Sequence, residues 1–394
     1  MKKNSLYGSA GAFIALLMLL GACDKKDEHS GPAGQTTQLV LGTPLVDNDA
    51  STDGTKALVG PMQNTYFGRN RYNGSPSPNY HTLGIFVMKN SDPTHMQPHT
   101  SGYANMFARL DPQNDPTIVS SSTNMYYTLW RIPFPDGNEY SVIPLYTDRG
   151  NVDFYSYYPY NENVVDPKAI PFDMTAKEGT ISAIYDHLYY AASNLNPTSS
   201  TDMAMTPMTY KHAMAWIAFN FNIVSGRIGQ YTLNRINLST VDGGAWIPVK
   251  GTYDATAVPM PVYPAMNVTE STDSLDFIYN RTFYAYVSGT TIYQVSYNYA
   301  DILMPSIIVT PGATNRKLLI TIYLNRDDAA PMESGSYTLD LDQLATATAG
   351  GGTRGLVAGY RYNFTITMDP SLRLLNFSLP NVTPWGDNTI TVKI

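Results

Sequence analysis

The chain has 394 residues, which at about 150 residues per domain gives roughly two to three domains. Its 25 Lys+Arg against 32 Asp+Glu leave a formal net charge of −7 with no long basic run, which excludes nucleic acid as a partner because neutralising phosphates needs clustered cations. Charged residues make up only 14%, aromatics reach 12% and Tyr alone contributes 30, a composition suited to pleated strands rather than helices, so an all-β protein is expected.

At the amino terminus, Lys2 and Lys3 precede an apolar stretch over residues 10–20. It is too short to cross a hydrocarbon core of about 30 Å but has the length of a secretory h-region, so residues 1–22 read as a signal peptide. Leu20-Gly21-Ala22-Cys23 resembles the bacterial lipobox, which makes Cys23 the lipidated residue. As the one Cys of the chain, it also excludes a disulfide framework and a Cys-based zinc site. Acyl chains contribute about 0.8 kcal/mol per buried CH₂, enough when several act together to anchor a protein without a spanning helix.

Residues 23–56 are rich in Gly, Thr, Asp and Asn and carry one apolar patch, Leu39, Val40 and Leu41, able to pair as a short strand. From residue 57 onward the pattern is period-2 alternation. Ala215, Ile217, Phe219, Phe221 and Ile223 share one strand face, with Asn220 and Asn222 opposite. Tyr360, Tyr362, Phe364, Ile366 and Met368 do the same, and further strands are expected over 306–310 and 318–324. Gly and Pro punctuate these runs with turns, the signature of sandwiches rather than a βαβ array, and 341–349 has room for a helical turn or two. The polar stretch 225–230 divides the remainder into an N-terminal sandwich, 57–225, and a C-terminal one, 226–394. Near the end, Leu375, Phe377 and Leu379 form one alternating run, and Ile390, Val392 and Ile394 form another against Thr389, Thr391 and Lys393.

Catalytic chemistry is not expected. The chain has no nucleophile elbow, no phosphate loop with Lys and no Gly-rich dinucleotide turn after a strand, so no cofactor is implied. His95 and His99 have the i,i+4 spacing of a helical metal pair, but Pro93 and Pro98 oppose a helix there and no third ligand is near in sequence, so no metal site is expected.

Several segments, in order, are similar to the landmarks of one known family. Gly54-Thr55-Lys56-Ala57 is similar to the family's processing point, and Leu83-Gly84-Ile85-Phe86-Val87 to its first mature strand. Residues 152–160 (Val-Asp-Phe-Tyr-Ser-Tyr-Tyr-Pro-Tyr) resemble its Tyr-rich strand. Asp186-His187-Leu188-Tyr189-Tyr190-Ala191 and Tyr210-Lys211-His212-Ala213-Met214-Ala215 follow as the next landmarks, then Gly251-Thr252-Tyr253, residues 357–362 and Val382-Thr383-Pro384-Trp385. Asp24-Lys25-Lys26-Asp27-Glu28, after the lipid site, resembles an export signal to the outer cell surface.

Together these segments resemble the fimbrillin family of Bacteroidetes, the Mfa-like and FimA-like pilins, and the resemblance implies two transthyretin-like β-sandwich domains in tandem and a fimbrial subunit that polymerises by β-strand exchange. Its implied partners are other fimbrillin subunits, the outer membrane through the lipid anchor, a trypsin-like surface protease cutting between Lys56 and Ala57, and a host or bacterial surface ligand. Lys56 stands where the family has Arg, and Arg69 and Arg71 are alternative cleavage points. The expected leader strand is Leu39, Val40 and Leu41; the expected donor residues are Leu375, Phe377, Leu379, Ile390, Val392 and Ile394. The alternative is a monomeric, surface-anchored glycan-binding lipoprotein, whose aromatics would lie exposed on a flat face.

Overall fold

The computed structural model describes residues 36–41, 44–46, 81–90, 97–113, 127–134, 138–140, 142–175, 187–197, 203–205, 208–223, 229–257, 263–288, 291–295, 299–309, 316–326, 333–344, 353–369, 374–377 and 380–384. Among these residues the regular structure is 26 β-strands and two three-residue 3₁₀ turns, Thr147–Arg149 and Leu341–Gln343, with no α-helix. The all-β expectation therefore holds. The 3₁₀ turn at 341–343 is the part of the expected helical segment that lies within the described residues.

An eight-stranded sheet organises the first half, in the order Pro44–Val46, Met208–His212, Leu188–Leu195, Val152–Tyr158, His81–Lys89, Met106–Gln113, Tyr127–Pro133 and Glu139–Tyr140. Its middle strands are buried on both faces. Leu83, Ile85, Val87, Val152, Phe154 and Tyr158 point into one core. Phe86, Met88, Tyr155 and Tyr157 point into a second, larger core that is mostly built from residues after 212. Burial on both sides explains why 152–158 reads as an almost unbroken aromatic run instead of a clean alternation. Ser156, on the first face, is completely buried and accepts a 2.7 Å hydrogen bond from Tyr210 Oη.

Close packing at this sheet's centre dictates a glycine. Gly84 pairs directly with Tyr157, and a Cβ there would strike the Tyr157 ring. The ring cannot swing aside cheaply, because its hydroxyl donates to Asn105 Oδ1 at 2.7 Å.

Over the larger core lie two five-stranded sheets. One runs Tyr299–Met304, Ala215–Ile223, Tyr360–Asp369, with both Leu374–Phe377 and Asn381–Pro384 returning along the far edge of the last. The other runs Thr291–Val295, Ser274–Ser288, Gly229–Thr240, Lys317–Arg326, Glu333–Asp340. Ala215–Ile223, placed by sequence in the first half, takes both its strand partners from the second, one of them parallel. Likewise Ile170–Asp173 pairs with Ile247–Tyr253 across the 225–230 stretch.

Ala215–Ile223 departs from its expected one-sided burial. Trp216 and Ala218, on the supposedly polar face, are as buried as Ile217 and Phe219. The cause is a polar cluster made to fit: Trp216 Nε1 donates to buried Asp301 Oδ1 at 2.8 Å, and the Arg361 guanidinium lies 4.0 Å over the Trp216 ring. Tyr279 Oη closes the group by donating to the Asp301 carbonyl at 2.6 Å.

Candidate functional site

The strand Thr36–Leu41 forms the middle of a separate three-stranded sheet that faces the smaller core. Val142–Tyr146 pairs with it antiparallel on one side and Met203–Met205 parallel on the other. Leu39 sits opposite both Ile143 and Met203. Period-2 alternation sends Thr37, Leu39 and Leu41 inward, where they are 3%, 0% and 7% exposed, while Gln38 is exposed and Val40 half-buried. The inward leucines meet Ile143, Leu145, Met208 and Tyr210 of the smaller core.

The topology gives this strand an unusual position. Among the described residues it is the only strand partner of both its neighbours, so the three-stranded sheet exists through it. The chain then crosses to the facing layer, where Pro44–Val46 adds a parallel edge to Met208–His212. One short segment thus closes edges in both layers. Burial of Leu39 and Leu41 stabilises that placement by about 1.5–3 kcal/mol each, supplemented by ladder hydrogen bonds on both sides at about 0.5–1.5 kcal/mol each.

Of the sequence-derived site residues, Leu39, Val40 and Leu41 thus lie together in one strand that fills a gap between two others. Cys23, Lys56 and Ala57, and the alternatives Arg69 and Arg71, lie outside the described residues, as do Leu379, Ile390, Val392 and Ile394. Leu375 and Phe377 belong to Leu374–Phe377, which pairs with its own chain: Phe377 is opposite Ile366, and Leu375 opposite Met368. Phe377 is half-buried and stacks on Tyr337, with ring centroids 5.4 Å apart and planes at 18°. Tyr337 in turn meets Phe364 edge-on.

The two walls of the gap, 142–146 and 203–205, were not singled out by sequence. A signal for the first exists in Pro144, which offers no N–H to a ladder and is tolerated where a strand has a free or exchangeable edge. Among the described residues, the one aromatic side chain among the exposed large hydrophobics is Tyr140, at 39%.

A family model described as fimbrillin-like matches residues 84–385. The chain belongs to the fimbrillin-like family. Membership makes it a fimbrial subunit, a structural protein of the cell surface that associates with other fimbrial subunits. No curated protein sequence matches this fimbrillin-like chain. Among solved structures it is similar to a candidate cell adhesion protein from Bacteroides uniformis, at 14% identity and a TM-score of 0.46, covering 78% of this chain and 92% of that one. A candidate cell adhesion protein from Bacteroides ovatus shares 13% identity with a TM-score of 0.45, over 90% of this chain and 98% of that one. The tip fimbrial protein Mfa3 of Porphyromonas gingivalis, solved with a C-terminal truncation, shares 12% identity with a TM-score of 0.42, over 89% of this chain and 100% of that one.

Proposed function

We propose that this fimbrillin-like subunit is made as an outer-membrane lipoprotein, anchored through Cys23, cut after Lys56 and polymerised by β-strand exchange in support of cell adhesion. The single observation that carries the reading is the placement of Thr36–Leu41: a segment upstream of the cut is the central strand of a sheet that has no other strand to join its two sides among the described residues. Cutting after Lys56 turns that strand from part of the fold into a bound peptide that can leave. The vacated gap then offers two strand edges and the inward pockets of Thr37, Leu39 and Leu41, which an alternating strand from a sister subunit can fill.

In this reading the donor segment is 375–394. Its root, Leu375 and Phe377, stays on its own sheet, and Ile390, Val392 and Ile394 enter the neighbour, burial of each being worth about 1.5–3 kcal/mol. The smaller core, made wholly of residues up to 210, supports an N-terminal sandwich that includes the leader, while Ala215–Ile223, with both strand partners in the second half, belongs with the C-terminal one and shifts the division from 225 and 226 to before residue 215.

Deleting residues 388–394 tests the reading. The truncated chain is expected to fold and to be processed, and to stay monomeric, because only the incoming strand is lost. Fibres of normal length from the truncated chain would rule the donor assignment out.

A further inference from the structure

The two walls of the gap are fastened to the body in different ways. On the antiparallel side, the Pro144 carbonyl accepts the Tyr103 hydroxyl. Burial pushes the Tyr103 pKa above its ordinary 10, so the hydroxyl keeps the proton it donates. The Tyr146 ring stacks on His99 with centroids 5.9 Å apart and planes at 27°, and His99 stacks on Tyr103 at 5.9 Å and 14°. The Arg149 guanidinium lies 4.3 Å over the Tyr146 ring, and its Nη1 donates to the His99 carbonyl at 2.9 Å.

The segment that carries His99 and Tyr103 is itself laced to the middle of the eight-stranded sheet. His99 N donates to Val87 O at 2.8 Å, and Val87 N donates to Tyr103 O at 3.0 Å. A column of four stacked side chains therefore runs from the wall to a central, permanent strand. Both walls have the leader as their one strand partner among the described residues; on the parallel side, Met203 meets the core as a half-buried side chain.

We propose that Val142–Tyr146 is the docking wall of the groove: it stays in place when the leader leaves, and a strand from a second copy of this chain pairs antiparallel with it before Met203–Met205 closes from the other side. The proposal rests on the strand-exchange reading and adds to it an order of events and a direction. Fixing a backbone costs conformational entropy, so an edge that is already ordered captures an incoming strand sooner than one that must be ordered by it. The proposed direction is the leader's own, antiparallel to 142–146 and parallel to 203–205. The run Ile390, Val392, Ile394 places apolar residues at every second position, as the leader does with Leu39 and Leu41, which makes a second copy the fitting occupant.

The test uses the full chain with a specific protease site introduced in residues 47–80, cut, and mixed with a fluorescent peptide copying residues 34–46. Because the probe is the leader itself, the outcome does not depend on which segment is the natural donor. Tyr103→Phe is expected to slow peptide association about tenfold, the equivalent of about 1.4 kcal/mol, with little change in dissociation. Met203→Ala is expected to do the reverse, speeding dissociation while association stays as it was. Arg149→Gln, which leaves Tyr103 intact, should slow association in the same sense and guards against a folding defect in the first variant. Unchanged association in both Tyr103→Phe and Arg149→Gln, or slowed association in Met203→Ala, overturns the docking wall while leaving strand exchange standing. Failure of the unsubstituted, cut protein to take up the peptide removes the exchangeable leader, and the docking wall with it.

Discussion

Leu39→Ala is expected to destabilise the unprocessed chain by about 2–5 kcal/mol while leaving assembled fibres as stable as before. Leu39 is completely buried at the centre of its strand, between Ile143 and Met203, so the truncation removes transfer free energy and leaves a cavity. In a precursor whose leader is a plug, that loss falls on the closed state alone. Once the leader is gone, residue 39 is no longer in the molecule and its identity has no effect. Leu83→Ala provides the contrast, because Leu83 is equally buried but lies on a strand of the permanent sheet and should weaken precursor and fibre alike. Urea unfolding of the precursor and thermal dissociation of fibres, measured for both variants, separate the two. If Leu39→Ala weakened the fibre as much as Leu83→Ala does, the leader would be a permanent part of the structure.

Acid should weaken the fold through His187. This imidazole is buried where the start of Leu188–Leu195 meets Tyr253, whose ring it contacts edge-on at 5.5 Å, and burial pushes its pKa down from 6.5 to about 4. The unfolded chain therefore takes up the proton first as pH falls. The stability attached to the neutral imidazole is whole above pH 6.5, drains away between pH 6.5 and about 4, and is gone below that. The loss amounts to about 3 kcal/mol at 1.36 kcal/mol per pH unit. Carboxylates add their own acid sensitivity, so the quantity to measure is a difference of differences: unfolding free energy at pH 7 minus that at pH 4.5, for the native chain and for His187→Gln. The drop should be smaller in the variant. Equal drops would mean that His187 is protonated in the folded chain without cost.

Local alternation was enough to identify much of this fold. Ala215–Ile223, Tyr360–Asp369 and Lys317–Arg326 appear where apolar residues recur at every second position, and Leu39 to Leu41 stands out because it is the one apolar patch in a polar stretch. Pairing was less legible. Ala215–Ile223 reads as a strand from nine residues, but its neighbours Tyr299–Met304 and Tyr360–Asp369 are far away in the chain, and no local pattern specifies them. The clean one-faced reading failed at Trp216 for a related reason. A tryptophan that can donate to a buried carboxylate and stack under a guanidinium can be interior on a face that alternation assigns to solvent, and its partners Asp301 and Arg361 come from those distant strands.

The site was half legible. Leu39 to Leu41 was visible as a strand, whereas its neighbours were not, since Val142–Tyr146 and Met203–Met205 are defined by what lies between them. Pro144 was the clue available, a residue without an N–H inside an otherwise good strand. Leu375 and Phe377 lie in a strand, as their alternation predicts, and their register opposite Met368 and Ile366 pairs that strand with its own sheet.

The most direct measurement is the first residue of the subunit inside assembled fibres, read by mass spectrometry after the fibres are stripped from the cell surface. The expected result is Ala57, with every residue from lipid-bearing Cys23 through Leu39–Leu41 to Lys56 absent. A fibre built of subunits that still begin at Cys23 and retain the Thr36–Leu41 strand would contradict the account, because the gap that a sister subunit has to enter would still be filled.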